Sequence, residues 1–252
     1  MLRMSQKLLL RRAIELSDKL FDDEGDELCP GSAHTHPLCG NTDNYMQFPG
    51  VWYFQCGHIT PKIVSGLIKG SKMLSVGSGE ARLERLLTEG FGASKQNIVL
   101  SDMSLYAQAR ESGMKCYEFD MTKPWPKLEE MFDYIIFPES LGVALLKAEE
   151  QLSFRYFDIL SRVEKQVLAS DYSSQDIGFF MDVVGMDVSR VHTVCSILEQ
   201  GMKYLNSGGT LIVKHGINAG QQKAYIMAKF HRDYPGITFR PDLPEDDLVL
   251  KL

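Results

Sequence analysis

The chain has 252 residues, 44% of them apolar, enough for a sizeable core in one large α/β domain or in a domain with a cap. A net charge of −6 lacks the basic footprint of a nucleic-acid enzyme, and no run approaches the roughly 18 apolar residues of a membrane span. Five cysteines, an odd number with no small-domain framework, fit a reducing cytoplasm.

From the amino terminus, Leu8, Leu9, Ala13, Ile14, Leu16 and Leu20 predict an amphipathic helix, ended by the acidic run Asp22–Glu27. The first 14 residues hold four positive charges and no acid. That pattern fits either a solvated helix face or a transit peptide. The apolar run Leu8–Leu10 is too short for a secretory signal. Cys29, His34, His36, Cys39, Cys56 and His58 follow, and zinc accepts four such ligands. Their spacing matches no recognised finger and contains no Cys-x-x-Cys, so the expectation is no bound metal. Tyr45, Phe48, Trp52, Tyr53 and Phe54 make the same segment aromatic, as a small core or as a cover over a ligand.

Met73–Val76 is a short apolar run ending in Gly77-Ser78-Gly79, with helix-compatible residues directly after. A buried strand, a glycine turn and a helix make a nucleotide site at the strand's carboxyl end. Glycine lets the backbone turn tightly and approach a ligand, and the first helical turn offers N–H groups. A dinucleotide fingerprint would need glycine at Arg82, and no Gly-Lys-Ser/Thr follows, so neither that site nor a P-loop is present.

Further on, Asn97–Asp102 and Lys115–Asp120 are apolar runs ending in acids, and Phe132–Glu139 is a fourth such run. Asp102 lies 23 residues after Gly79, about where an acid meets ribose hydroxyls in a βαβ unit. Helices are expected over Glu80–Glu89, Leu105–Ser112, Val191–Tyr204 and Gln221–Asp233, the last stopped by Pro235-Gly236. Ile237–Arg240 and Leu248–Leu252 form a closing pair of strands.

Over about residues 60–252 this order of segments resembles the class I S-adenosylmethionine-dependent methyltransferases. Val76-Gly-Ser-Gly-Glu80 is similar to their first motif, although Ser75 stands where the family usually has an acid and Ala81 where it often has a third glycine. Leu205–Lys214 is similar to the family's helix end, double-glycine turn and fifth strand. The resemblance implies an α/β, Rossmann-like fold: a seven-stranded, mostly parallel sheet with helices on both faces, plus a helical cap. It implies S-adenosyl-L-methionine as cofactor. Gly77, Ser78 and Gly79 would hold its amino-acid part, and Asp102 the ribose. Asp120 and Met121 would hold adenine, with Met103 on the other face of the ring. Pro138, at the end of the fourth strand, would face the methyl group.

Residues 1–59 and an insertion of about 140–187 would build the cap around the 60–252 domain, with a packing or dimer surface as the plainer reading. Direct methyl transfer needs a base only if the acceptor must lose a proton. Candidates at strand ends are Glu139, Lys214 and His215. The expected acceptor is a small molecule or a protein side chain, and the expected location is cytoplasmic. Lys214 also resembles a lysine of the RNA ribose 2′-O-methyltransferases, so RNA methylation stays as a rival. A binder of S-adenosylmethionine that methylates nothing is another. Acceptor identity and oligomeric state are open at this point.

Overall fold

The computed structural model describes residues 5–21, 52–55, 57–138, 140–141, 187–214, 220–240 and 247–252. These hold α1 (Gln6–Phe21), α2 (Trp52–Gln55), α3 (Pro61–Ile68), β1 (Met73–Val76), α4 (Arg82–Arg85), β2 (Ile98–Asp102), α5 (Ala107–Glu111), β3 (Lys115–Glu118), β4 (Phe132–Pro138), α6 (Asp187–Met202), β5 (Leu205–Lys214), α7 (Gly220–Asp233), β6 (Thr238–Phe239) and β7 (Leu248–Lys251). The strands form one seven-stranded sheet in the order β3-β2-β1-β4-β5-β7-β6. The strand pairs β1–β2, β2–β3 and β4–β5 are parallel, and β7 runs antiparallel to both β5 and β6. The fold is therefore Rossmann-like α/β with a seven-stranded, mostly parallel sheet, as the sequence leads one to expect. Among the described residues no helix is long and apolar enough to cross a membrane.

The chain divides into two compact units, Met1–Glu118 and Phe119–Leu252. In the first, β1 is buried at all four positions and lies in register with β2, from Met73↔Ile98 to Val76↔Ser101. Such continuous burial is what a parallel strand covered on both faces requires. Helix α4 widens into a π-helical turn over Leu86–Gly90, and α1 lies against that turn. The buried face of α1 is Leu9, Ala13, Leu16 and Phe21, whereas Leu8 points to solvent at 54% exposure. The hydrophobic stripe thus runs one position away from where Leu8 would set it. Gln6 ties α1 to the next segment by donating to the carbonyls of Phe54 (2.9 Å) and Ile59 (3.2 Å). Phe54 is buried and stacked on Phe91, at 5.5 Å between ring centroids, so this aromatic residue serves as core. Helix α3 starts where Thr60 caps it, accepting from the Ile63 N–H, with Pro61 in the first turn.

In the second unit, β4 and β5 carry the core residues Ile135, Ile136, Phe137, Leu211, Ile212 and Val213. Val194, Ile197 and Leu198 of α6 and Phe230 of α7 are buried as well. Lys229 of α7 donates to Glu199 of α6 and to Asp233 at 3.0 Å. One expectation is corrected here. Leu205 does not end a helix: it already pairs with Phe132, and the ladder resumes at Tyr134↔Thr210. The Asn206–Gly209 stretch bulges between those two pairs, with Gly208 at φ 75°. Asn206 Nδ2 holds the bulge to Asp133 Oδ1 at 3.0 Å. Helix α6 begins at Asp187, four residues before its expected start. Residues 142–186, most of the expected insertion, lie outside the described residues.

Candidate functional site

The turn after β1 is built on left-handed backbone. Gly77 has φ 75° and Gly79 φ 54°, and Ala81 follows at φ 59° as the one non-glycine residue with positive φ among those described. The third position thus takes the conformation glycine favours, although the chain carries alanine there. Three N–H groups of the turn are directed at the end of β2. Gly77 and Ser78 both donate to the Ser101 carbonyl, at 2.6 and 3.0 Å, and Gly79 donates to Asp102 Oδ2 at 3.0 Å. These three donors are therefore spent within the fold. A Cβ placed on Gly79 would meet nothing within 4 Å among the described residues, which leave open space beside the backbone there.

Asp102 ends β2 with both carboxylate oxygens engaged, since Oδ1 accepts from the Ser104 N–H at 3.4 Å. Met103, the next residue, is 52% exposed.

Glu84, on α4, is a residue that sequence reasoning missed. It is 1% exposed, and burial raises its carboxyl to about pH 7, opposed in part by the Ser75 hydroxyl and its own backbone N–H. Ser75 is close enough to favour the charged form, yet neither Ser75 Oγ nor Glu84 Oε1 completes a hydrogen bond among the described residues. Its signal in the sequence is position: Glu84 falls three and four residues before the buried Leu87 and Thr88, on the apolar face.

In the second unit, Asp120 closes a small turn, with Oδ1 accepting from the Thr122 N–H (2.8 Å) and hydroxyl (2.7 Å). The Met121 carbonyl accepts from Trp125 Nε1 at 3.0 Å. Gln200 of α6 clasps the same loop, accepting from the Trp125 N–H at 2.6 Å and donating to the Lys123 carbonyl at 3.2 Å. The Trp125 ring is stacked on Tyr204, 6.3 Å away at 8°, with Phe119 and Phe137 tilted against it. Asp120 and Met121 thus sit on a braced loop. Trp125 and Gln200 were not among the residues the sequence singled out.

At the other strand ends, Pro138 of β4 lies level with Lys214 of β5, and Lys214 is fully buried. The next residues in each strand direction, Glu139 and His215, lie outside the described residues. So do Cys29, His34, His36, Cys39 and Cys56 of the amino-terminal cluster. Among the described residues, no three His, Cys, Asp or Glu side chains gather as a metal site would require.

No protein-family model matches the chain, and no curated protein matches it. Solved structures with a similar fold include methyltransferases. The sugar N-methyltransferase KedS8 from Streptoalloteichus sp ATCC 53650 is 14% identical, at a TM-score of 0.34 over 60% of this chain and 44% of that one. The N-methyltransferase NodS from Bradyrhizobium japonicum WM9, solved with S-adenosyl-l-homocysteine, is 12% identical over 98% and 97% at a TM-score of 0.41. Magnesium protoporphyrin IX methyltransferase (ChlM) from Synechocystis PCC 6803, with bound SAM, is 13% identical over 75% of both chains at 0.41. This chain spans about half, or less, of the length of the first of these solved structures.

Proposed function

We propose that the chain is an S-adenosylmethionine-dependent methyltransferase acting on a small molecule or a protein side chain. The observation that supports this most is the bond from the Gly79 N–H to Asp102, which fixes a turn flanked by two glycines at the carboxyl end of β1. Within its unit β1 runs parallel to β2, and open α/β sheets bind their ligands outside the carboxyl ends of such strands. The residues fit the cofactor, because the open space over Gly79 admits a ligand against the backbone and acids follow the next two strands.

Gly77, Ser78 and Gly79 receive the amino-acid part, and Asp102 faces the ribose. Asp120 and Met121 take the adenine, with Met103 on the opposite side. Pro138 borders the reacting methyl. When bound, the cofactor supplies a methyl group activated by a sulfonium charge. The protein's own work is alignment and exclusion of water. Glu139, Lys214 and His215 are the candidates to hold or accept an acceptor proton, and Lys214 is the one the described residues include.

Calorimetric titration with S-adenosylmethionine and S-adenosylhomocysteine tests the reading. Micromolar binding of either, lost in Gly77→Arg, supports it. Absence of binding to both overturns it.

A further inference from the structure

Three buried polar atoms around the glycine turn lack a hydrogen-bond partner among the described residues: Ser75 Oγ on β1, Ser78 Oγ in the turn and Glu84 Oε1 on α4. Leaving a buried carboxyl oxygen unpaired is costly, and so is leaving a buried hydroxyl unpaired. Glu84 is held in place all the same. It sits in the helix between buried Leu83 and Leu86, and its carbonyl accepts from the Thr88 hydroxyl at 3.0 Å.

The charged groups nearest to it are engaged elsewhere. Arg82 pairs with Glu80 at 2.9 Å and Arg85 with Glu89 at 3.6 Å. Both guanidinium groups lie over the Phe21 ring of α1, at 5.9 and 5.1 Å. The charged side chains of α1 whose exposure is described, Lys7, Arg11, Arg12, Glu15 and Lys19, are all exposed. From β1 the group facing Glu84 is the neutral Ser75. No cation of the described residues therefore balances a Glu84 carboxylate.

We propose that Glu84 is a positioning residue that gives up a proton when a positively charged ligand fills the glycine-turn site. The carboxyl O–H bond breaks, the electron pair stays on the oxygen, the proton leaves to solvent, and the ligand's positive charge takes over the balance. The ionised carboxylate then accepts from the Ser75 hydroxyl and fastens β1 to α4 beneath the turn. The proposal rests on the reading above in taking S-adenosylmethionine, with an ammonium and a sulfonium against one carboxylate, as that ligand. Burial of an unbalanced carboxyl in the empty protein is the condition for such linkage, and the raised titration of Glu84 agrees with it.

The experiment is titration of the full chain with S-adenosylmethionine in two buffers of different ionisation heat, at about pH 6.5 and about pH 8.5. The ligand's own amine titrates at about pH 8, so the expected result is read as the difference from Glu84→Gln: more than about half a proton of extra release per ligand at the lower pH and almost none at the higher. Glu84→Gln should show only the proton exchange of the ligand's own amine. Ser75→Ala, which removes the group favouring the carboxylate, should move the release to higher pH. This second variant decides the matter if Glu84→Gln does not fold. Binding with the same proton release in wild type and both variants overturns the proposal and leaves the cofactor reading standing. An absence of binding in wild type overturns the cofactor reading, and the ligand linkage falls with it.

Discussion

Gly79 donates its backbone N–H to Asp102 Oδ2 at 3.0 Å, so the acid expected to hold ribose also locks the turn expected to hold the cofactor's amino-acid part. A hydrogen bond to a charged acceptor contributes roughly 1.5–3 kcal/mol, and breaking it leaves a donor in a half-buried turn. Asp102→Ala should therefore lower the unfolding free energy by about 1–2 kcal/mol and weaken S-adenosylmethionine binding at least tenfold. Asp102→Asn keeps an acceptor and should recover most of the stability but less of the affinity. Chemical denaturation and calorimetry measure the two losses separately. Unchanged affinity in Asp102→Ala would remove the ribose assignment.

The left-handed positions of the turn differ in what they tolerate. Gly77→Ala forces a Cβ into φ 75°, at a cost of about 1–2 kcal/mol. Ala81 already accepts that strain at φ 59°. Ala81→Gly relieves it but loses a fully buried methyl and gains freedom in the unfolded chain, so the changes offset. Thermal melts should show Gly77→Ala clearly destabilised and Ala81→Gly within about 1 kcal/mol of wild type.

Strand ends were the legible part of this chain, because the apolar runs of β1 and β2 stop at a glycine turn and at an acid, residue types that mark the end of a buried segment. The glycines at 77 and 79, and the acids at 102 and 120, stand out for that local reason. The third glycine position was legible too, since Ala81 adopts the backbone of the residue it replaces. Trp125 was not, because its partner Gln200 is 75 residues away and nothing local marks the clasp. Glu84 was hidden by its type: a glutamate in a helix ordinarily faces water, and only the packing around it shows the opposite. The bulge at Asn206–Gly209 was misread because a double glycine next to a helix end and a double glycine within a strand look alike in sequence. The pairing of Leu205 with Phe132 decides between them.

Glu84 gives the fold a pH dependence of unusual sign. Its carboxyl titrates at about 7 when folded, against 4.5 for the ordinary group, so the folded chain binds more protons between those values. Stability from this group is fully present below the unfolded value and is lost as pH rises to about 7, with no further loss above. The span corresponds to about 3 kcal/mol, an upper bound for a carboxyl with no water access. Glu84→Gln should remove this slope and be the more stable protein at alkaline pH. Denaturation midpoints across the range measure it, and parallel curves for the two proteins would contradict it.

Trp125 braces the loop of Asp120 and Met121 through one indole N–H and a ring packed on Tyr204. Trp125→Phe keeps the ring packing and deletes the bond to the Met121 carbonyl. It should cost about 1 kcal/mol of stability and weaken S-adenosylmethionine binding, because the loop proposed to carry adenine loosens. Gln200→Ala unties the same loop at the Trp125 N–H and the Lys123 carbonyl, and should act in the same direction. Adenosine, which lacks the amino-acid part, should lose affinity in these variants by the same factor as S-adenosylmethionine. A loss confined to the larger ligand would place Trp125 away from adenine.

Lys214 separates turnover from binding. It is fully buried at the end of β5, level with Pro138, where the proposed site meets its acceptor. Lys214→Met keeps the length and volume of the stem and removes the ammonium, so packing is largely preserved. If the lysine serves the acceptor, this variant binds S-adenosylmethionine as wild type does and loses methyl transfer. If the lysine serves only the fold, turnover per folded molecule is retained while the melting temperature changes. A loss of cofactor affinity would instead move Lys214 from the acceptor to the cofactor side. Because the charge is removed at nearly constant shape, the comparison with Lys214→Ala tells loss of chemistry from loss of packing: a chemical role makes both variants inactive, and a purely structural role leaves turnover per folded molecule in both while the melting temperature falls further in the alanine variant.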